Sequence, residues 1–177
     1  MNILLTILMI IAALVVLFLI AAALIKKDYT VQQQVIINKN SRVVFDYIKL
    51  LKNQRNFNKW AMMDPDAKMD YIGTDGTVGF IYTWDSENKN VGKGEQEIKS
   101  ISDNTRIDSV VRFEKPFKNV ADVFMETRAV SENQTSVQWA MNGKNPYPMN
   151  IMNLFIPGML SKDMGTSLST LKNILES

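Results

Sequence analysis

The sequence predicts an α+β domain, a curved antiparallel sheet closed by one long C-terminal helix, preceded by a single transmembrane helix. Three observations carry this expectation. From Ile3 to Ile25 there is no charged residue. Between residues 69 and 141 short extended stretches follow one another, separated by Gly, Asn, Asp, Ser or Pro, which is the punctuation of a meander rather than of crossover helices. Near the end, Leu160, Met164, Leu168, Leu171 and Leu175 recur at steps of three and four, the apolar stripe of a helix that covers a sheet.

The apolar segment comes first. At about 1.5 Å of rise per residue it reaches roughly 34 Å as a helix, enough for a hydrocarbon core of about 30 Å. A cleaved signal peptide is the alternative, and Ala21, Ala22 and Ala23 could serve a peptidase. Such a leader wants a basic start and a shorter apolar stretch, and no Lys or Arg precedes Ile3. The expected division is therefore an anchor over residues 1–27 and one folded domain over 28–177. Lys26 and Lys27 close the anchor, with Lys39 and Arg42 beyond. Basic residues stay on the cytoplasmic side, so the domain is expected in the cytoplasm with the N-terminus outside. Only Thr6 breaks the run of carbon side chains, so the helix reads as a tether without the charges of a transport path. It also lacks a Gly-x-x-x-Gly packing motif.

Composition narrows the chemistry of the rest. The 177 residues include 20 basic and 18 acidic side chains, a net charge of +2. No basic run is dense enough to follow a phosphate backbone, which argues against nucleic acid as a partner. The chain contains neither His nor Cys. Thiolate nucleophiles, a Ser-His-Asp triad and the usual nitrogen and sulfur ligands of zinc, copper or haem are thereby excluded. Any general acid or base has to be Asp, Glu, Lys or Tyr with a large environmental shift. Neither a cofactor nor a metal is expected.

Residues 31–37 read as the first strand. Asn40 and Ser41 then offer capping oxygens to a helix with Val44, Phe45, Ile48 and Leu51 on one face. A second short helix is expected over 55–60, and a turn at Asp64, Pro65 and Asp66. Strands follow at 69–72, 79–84, 91–101, 106–113, 119–130 and 135–141. Val123, Met125 and Ala129 alternate with Asp122, Glu126 and Arg128, while Val137, Trp139 and Met141 alternate with Ser136, Gln138 and Asn142. One sheet face is thus expected dry and the other wet. Phe80, Tyr82 and Trp84 form an aromatic row assigned to the dry face. Pro157 and Gly158 are expected to separate the closing helix from a shorter apolar piece at 151–155.

The polar residues have ordinary structural readings. Glu95, Glu97, Asp108, Arg112, Glu126 and Arg128 lie on neighbouring strands and read as cross-strand ion pairs on the wet face. Asp64, Asp66, Asp70 and Asp75 gather around two turns without the spacing of a calcium loop, so turn formation and capping account for them. Gly92 and Gly94 flank Lys93 in a strand, where a bulge or close backbone approach is expected rather than a phosphate loop.

A family resemblance adds to this reading. The stretches NSRVVFDYI at 40–48, FNKW ending at Trp60, GTVGFIYTW ending at Trp84, VGKGEQEI at 91–98, FEKPF at 113–117, TSVQWAMNG at 135–143 and the closing LKNILE occur in an order that spans nearly the whole domain. In this the domain resembles the polyketide cyclase/dehydrase branch of the START-like (SRPBCC) superfamily. The resemblance implies the helix-grip fold, a curved sheet around a long helix with a cavity that often accepts apolar molecules. It implies no catalytic residue.

On that reading Phe80, Tyr82, Trp84, Met125, Trp139 and Met141 are expected to line the sheet side of a cavity. Met152, Met159, Leu160 and Met164 would line the helix side, with the mouth near the prolines of 146–157. Methionine suits a wall that adapts to different apolar shapes. The same side chains could equally meet and fill the core. The expected partners are the membrane, through Ile3 to Ile25, and a hydrophobic small molecule or lipid; no protein partner is legible. Two alternatives stay open: a polyketide cyclase-like or hydrolytic enzyme using the same cavity, and an accessory protein-interaction domain with a filled core.

Overall fold

A computed structural model describes residues 2–177. Helix α1 (Ile3–Leu24) opens with the Asn2 side chain accepting a hydrogen bond from the Leu4 amide. By length and composition it can cross a membrane, and a signal sequence would pass the same test. Its side chains are almost all exposed, with Ala22 its one buried residue.

The rest is built on seven antiparallel strands in the spatial order β1-β7-β6-β5-β4-β3-β2. They are β1 (Asp28–Ile37), β2 (Lys68–Ile72), β3 (Ile81–Asp85), β4 (Lys93–Ser102), β5 (Arg106–Lys115), β6 (Asn119–Ser131) and β7 (Gln134–Lys144). Strands β2 to β7 form the expected meander, and β7 closes it by pairing with β1. Between β1 and β2 the chain crosses from one sheet edge to the other through α2 (Ser41–Ile48), a 3-10 turn (Leu51–Asn53), α3 (Gln54–Phe57) and α4 (Lys59–Met62). Helix α2 is capped as expected, its Arg42 amide donating to the Asn40 side chain at 2.9 Å. The single helix expected over 55–60 is instead two, because Asn58 leaves helical geometry and accepts from the Trp60 amide at 3.1 Å to start a second turn.

Helix α5 (Ile156–Glu176) lies across the inner sheet face, mainly against β1. Its Met164, Leu168 and Leu171 are fully buried, each worth about 1.5–3 kcal/mol relative to exposure. At its far end Lys172 donates to the Ile36 carbonyl at 2.6 Å and Glu176 accepts from the Asn38 amide at 2.6 Å. The closing helix is separate from the apolar piece before it, as expected, with Pro157 and Gly158 lying inside its first turn rather than between the two. Proline is tolerated there because its missing N–H would have no intrahelical partner. The apolar piece before it is a 3-10 segment, Met149–Leu154.

Inner and outer faces separate as the alternation requires, with Ala121, Val123, Met125 and Thr127 buried along β6 and Val137, Trp139 and Met141 along β7. Ala129 is exposed, since the covered part of β6 ends at Thr127. On the outer face Arg112 meets Glu95 and Glu97 at 2.8 Å each, and Arg106 meets Asp108 at 2.7 Å and Glu126 at 3.5 Å. Such exposed pairs contribute about 0–1 kcal/mol apiece. The aspartates cap and turn: Asp75 accepts from the amides of Leu51 and Lys52, and Asp64 from that of Asp66.

Candidate functional site

Gly94 opens space on the inner face, one residue in from the start of β4. A Cβ there would stand 2.6 Å from the Trp84 ring and 2.5 Å from the Arg112 carbonyl oxygen. Its hydrogen lets the indole lie flat over β4, where the register shifts between Lys93 and Gly94 as expected of a bulge. Trp84 in turn meets Phe113 edge to face at 6.1 Å and Tyr82 at 5.6 Å. Across the sheet, Trp139 on β7 meets Trp60 on α4 edge to face at 6.1 Å.

These aromatic groups do not close on one another. Between them and α5 lies a cavity of about 270 Å³. Trp60, Trp84 and Trp139, the chain's three tryptophans, all line it, with Met141 and Leu160. Helix α4 is held over it by Lys59, whose amide donates to the Ser167 hydroxyl at 3.0 Å and whose ammonium pairs with Asp163 on α5.

Strand register tells where the cavity opens. Asp28, Lys144, Asn119, Lys115, Lys93, Asp85 and Lys68 lie at one end of the sheet. Loops at that same end contribute Asp64, Asn90 and Pro116 to the lining and the end of β5 contributes Lys115; Asn90, Lys115 and Pro116 are exposed. The cavity therefore reaches the surface there.

Its wall is mainly apolar with a few polar groups. The Tyr82 hydroxyl lies 3.3 Å from Gln96 Oε1 and 3.4 Å from Gln54 Oε1, and has one proton to offer the two acceptors. Burial pushes the Tyr82 phenol far up, with Tyr71 adding to the shift, so it stays a neutral donor. Trp139 Nε1 is buried and has no hydrogen-bond partner.

Of the expected wall residues, Tyr82, Trp84, Trp139, Met141 and Leu160 line this cavity. Met125 faces a smaller gap deeper in the core, while Phe80 and Met164 are fully buried outside the lining. Met152 and Met159 stand exposed and away from it. The rim comes from the loops after α4, β3 and β5 and from Leu160 rather than from 146–157, which packs against α1 instead. Trp60, Gln96 and Val123 also line the cavity without having been singled out. The signal for Gln96 was available, a polar residue at an inward position two before Ile98 on β4.

No protein-family profile matches the chain, and no curated protein matches it. Solved structures do. Norcoclaurine synthase from Thalictrum flavum, in complex with dopamine and hydroxybenzaldehyde, superposes with a TM-score of 0.61 at 8% identity, covering 83% of this chain and 86% of that one. Ara h 8.0201 superposes with a TM-score of 0.58 at 11% identity, covering 85% and 99%. Aha1 from Colwellia psychrerythraea gives 0.56 at 12% identity, covering 84% and 96%. At such identities the likeness is one of fold, and the fold is the helix-grip.

Proposed function

We propose that this chain is a membrane-tethered domain that holds a hydrophobic small molecule or lipid between its sheet and α5. The observation that carries this reading is the 270 Å³ of open volume among Trp60, Trp84, Trp139, Met141 and Leu160. Close-packed interiors leave few voids larger than a water molecule, and one water takes about 30 Å³ of liquid. The volume lies just under the roughly 300–1,000 Å³ of ligand pockets, which favours a small aromatic or one acyl chain over a whole two-chain lipid. The order of sequence motifs supports the polyketide cyclase/dehydrase-like branch of the START-like superfamily.

The tether is residues 1–27 and the binding domain 28–177. Lys26 and Lys27 support a cytoplasmic domain. Open volume speaks against the filled-core interaction reading. A cyclase-like or hydrolytic reaction would need an inward group able to take a proton near neutral pH; the buried phenol of Tyr82 is a donor instead, and the carboxylate of Asp64 in the lining is engaged by the Ser86 hydroxyl.

Because all three tryptophans line the cavity, a brominated fatty acid bound there would quench nearly all intrinsic emission. The full chain held in amphipol is expected to show saturable quenching. Val123→Phe adds bulk at the wall and is expected to weaken uptake about tenfold while costing less than the ~1–3 kcal/mol of overpacking a filled core. No quenching in the wild type, with clear destabilisation of the variant, would overturn the proposal.

A further inference from the structure

Rejection from the cavity leaves the 3-10 segment Met149–Leu154 with a different position, against the last turn of α1. The Asn150 amide nitrogen donates to the carbonyls of Ala22 at 2.6 Å and Ile25 at 2.7 Å. Asn153 donates to those of Lys26 and Lys27 at 2.9 Å each. The last carbonyls of a helix lack a full set of intrahelical donors, and the two asparagines bond one of them, Ala22, and the three residues that follow the helix. The segment is thereby held level with the end of the apolar run.

Around it the loop end of the domain is unusually apolar on its outside. Phe155 is 68% exposed, Phe117 67%, Met159 66% and Leu154 62%. Phe117 belongs to the β5–β6 turn and the other three to the entry of α5, so the patch draws on separate elements at the end where the cavity opens. Lys26, Lys27, Lys115 and Lys118 lie at the same end and, among the described residues, make no ion pair. Asp28, Asp64, Asp66, Asp85, Glu87 and Glu114 lie there too, Asp28 paired with Lys144 and both Asp85 and Glu114 with Lys93.

We infer that this end of the domain is seated in the surface of the membrane that α1 crosses, with Phe117, Leu154, Phe155 and Met159 at the boundary of headgroups and acyl chains and the cavity mouth open to the lipid. The inference rests on the tether proposed above. Depth supports it: if residues 3–25 fill the hydrocarbon, the carbonyls that Asn150 and Asn153 hold lie where that hydrocarbon ends. Chemistry supports it as well, since exposed aromatic and aliphatic groups beside lysines suit an interface with anionic headgroups. A ligand then passes from bilayer to cavity without crossing water.

The chain has no cysteine, so single sites can be labelled cleanly with an environment-sensitive nitrobenzoxadiazole fluorophore. The sites are Phe117→Cys, Phe155→Cys and, in the β2–β3 loop at the opposite end of the sheet, Val78→Cys, all exposed. The full chain is reconstituted in vesicles of phosphatidylcholine and phosphatidylglycerol containing shallow doxyl-labelled lipid. Labels at 117 and 155 are expected to shift to the blue and lose about half their emission to the doxyl groups, while the label at 78, about 30 Å away along the strands, keeps its emission. Incorporated chains whose three labels stay equally in water would overturn the membrane seat alone. A chain that does not float with vesicles after alkaline washing would overturn both seat and tether. Ligand uptake is not needed for this readout, so an empty cavity with quenched labels supports the seat.

Discussion

Asp108 shows what single residues contribute outside the cavity. The Arg106 guanidinium beside it holds its carboxyl below the usual range, with help from the Ser100 hydroxyl and against the desolvation that raises it. Glu97 is held down in the same way by Lys99 and Arg112. A carboxyl whose folded pKa is depressed adds stability above its unfolded value, and that stability is lost as pH falls through the folded one. The fold is therefore expected to weaken as pH drops below the ordinary values of 3.8 for Asp108 and 4.5 for Glu97. Asp108→Asn is expected to make that acid decline shallower, read from denaturation midpoints across the acid range; an unchanged slope would show the pair contributes nothing. At this scale the sequence revealed the charged rows and the aromatic row, because alternation reports direction. It did not separate Tyr82, Trp84 and Met141, which meet open space, from Phe80 and Met164, which meet other side chains. Empty volume depends on how distant elements come together, and Gly94 beside Trp84 is a contact that strand periodicity does not encode.

At the scale of elements, all seven strands and the closing helix were legible from period and punctuation. The differences have local causes: Asn58 caps a second short helix, and Pro157 marks the boundary before α5 from inside its first turn. The docking of the 3-10 segment on α1 was not legible. It depends on side-chain amides of Asn150 and Asn153 reaching backbone carbonyls more than 120 residues earlier, a contact with no periodic signature. Removing both donors leaves the carbonyls of Ile25 and Lys26 without these partners, while Ala22 and Lys27 keep the amides of Ile25 and Asn145, and loosens the junction at Lys26 and Lys27. The double variant Asn150→Ala with Asn153→Ala is expected to be cut there by trypsin about threefold or more faster than wild type in micelles, since local opening sets cleavage. Equal rates would mean that the asparagines do not hold the junction.

In the whole molecule three features meet at one end: a helix long enough to cross a bilayer, an exposed apolar rim and the mouth of a cavity. Orientation is the first consequence. With the domain in the cytoplasm, alkaline phosphatase fused after Ser177 in a bacterial host is expected to be inactive and a fluorescent protein there bright; phosphatase activity would put the domain on the other side. Occupancy is the second and more central one. Native mass spectrometry of the full chain, released from membranes in mild detergent, measures it most directly. A fraction of wild-type chains is expected to carry the added mass of one small apolar molecule, and Val123→Phe to lose it. Bare mass in the wild type under conditions that keep the domain folded, or an adduct that Val123→Phe retains in full, would contradict this expectation.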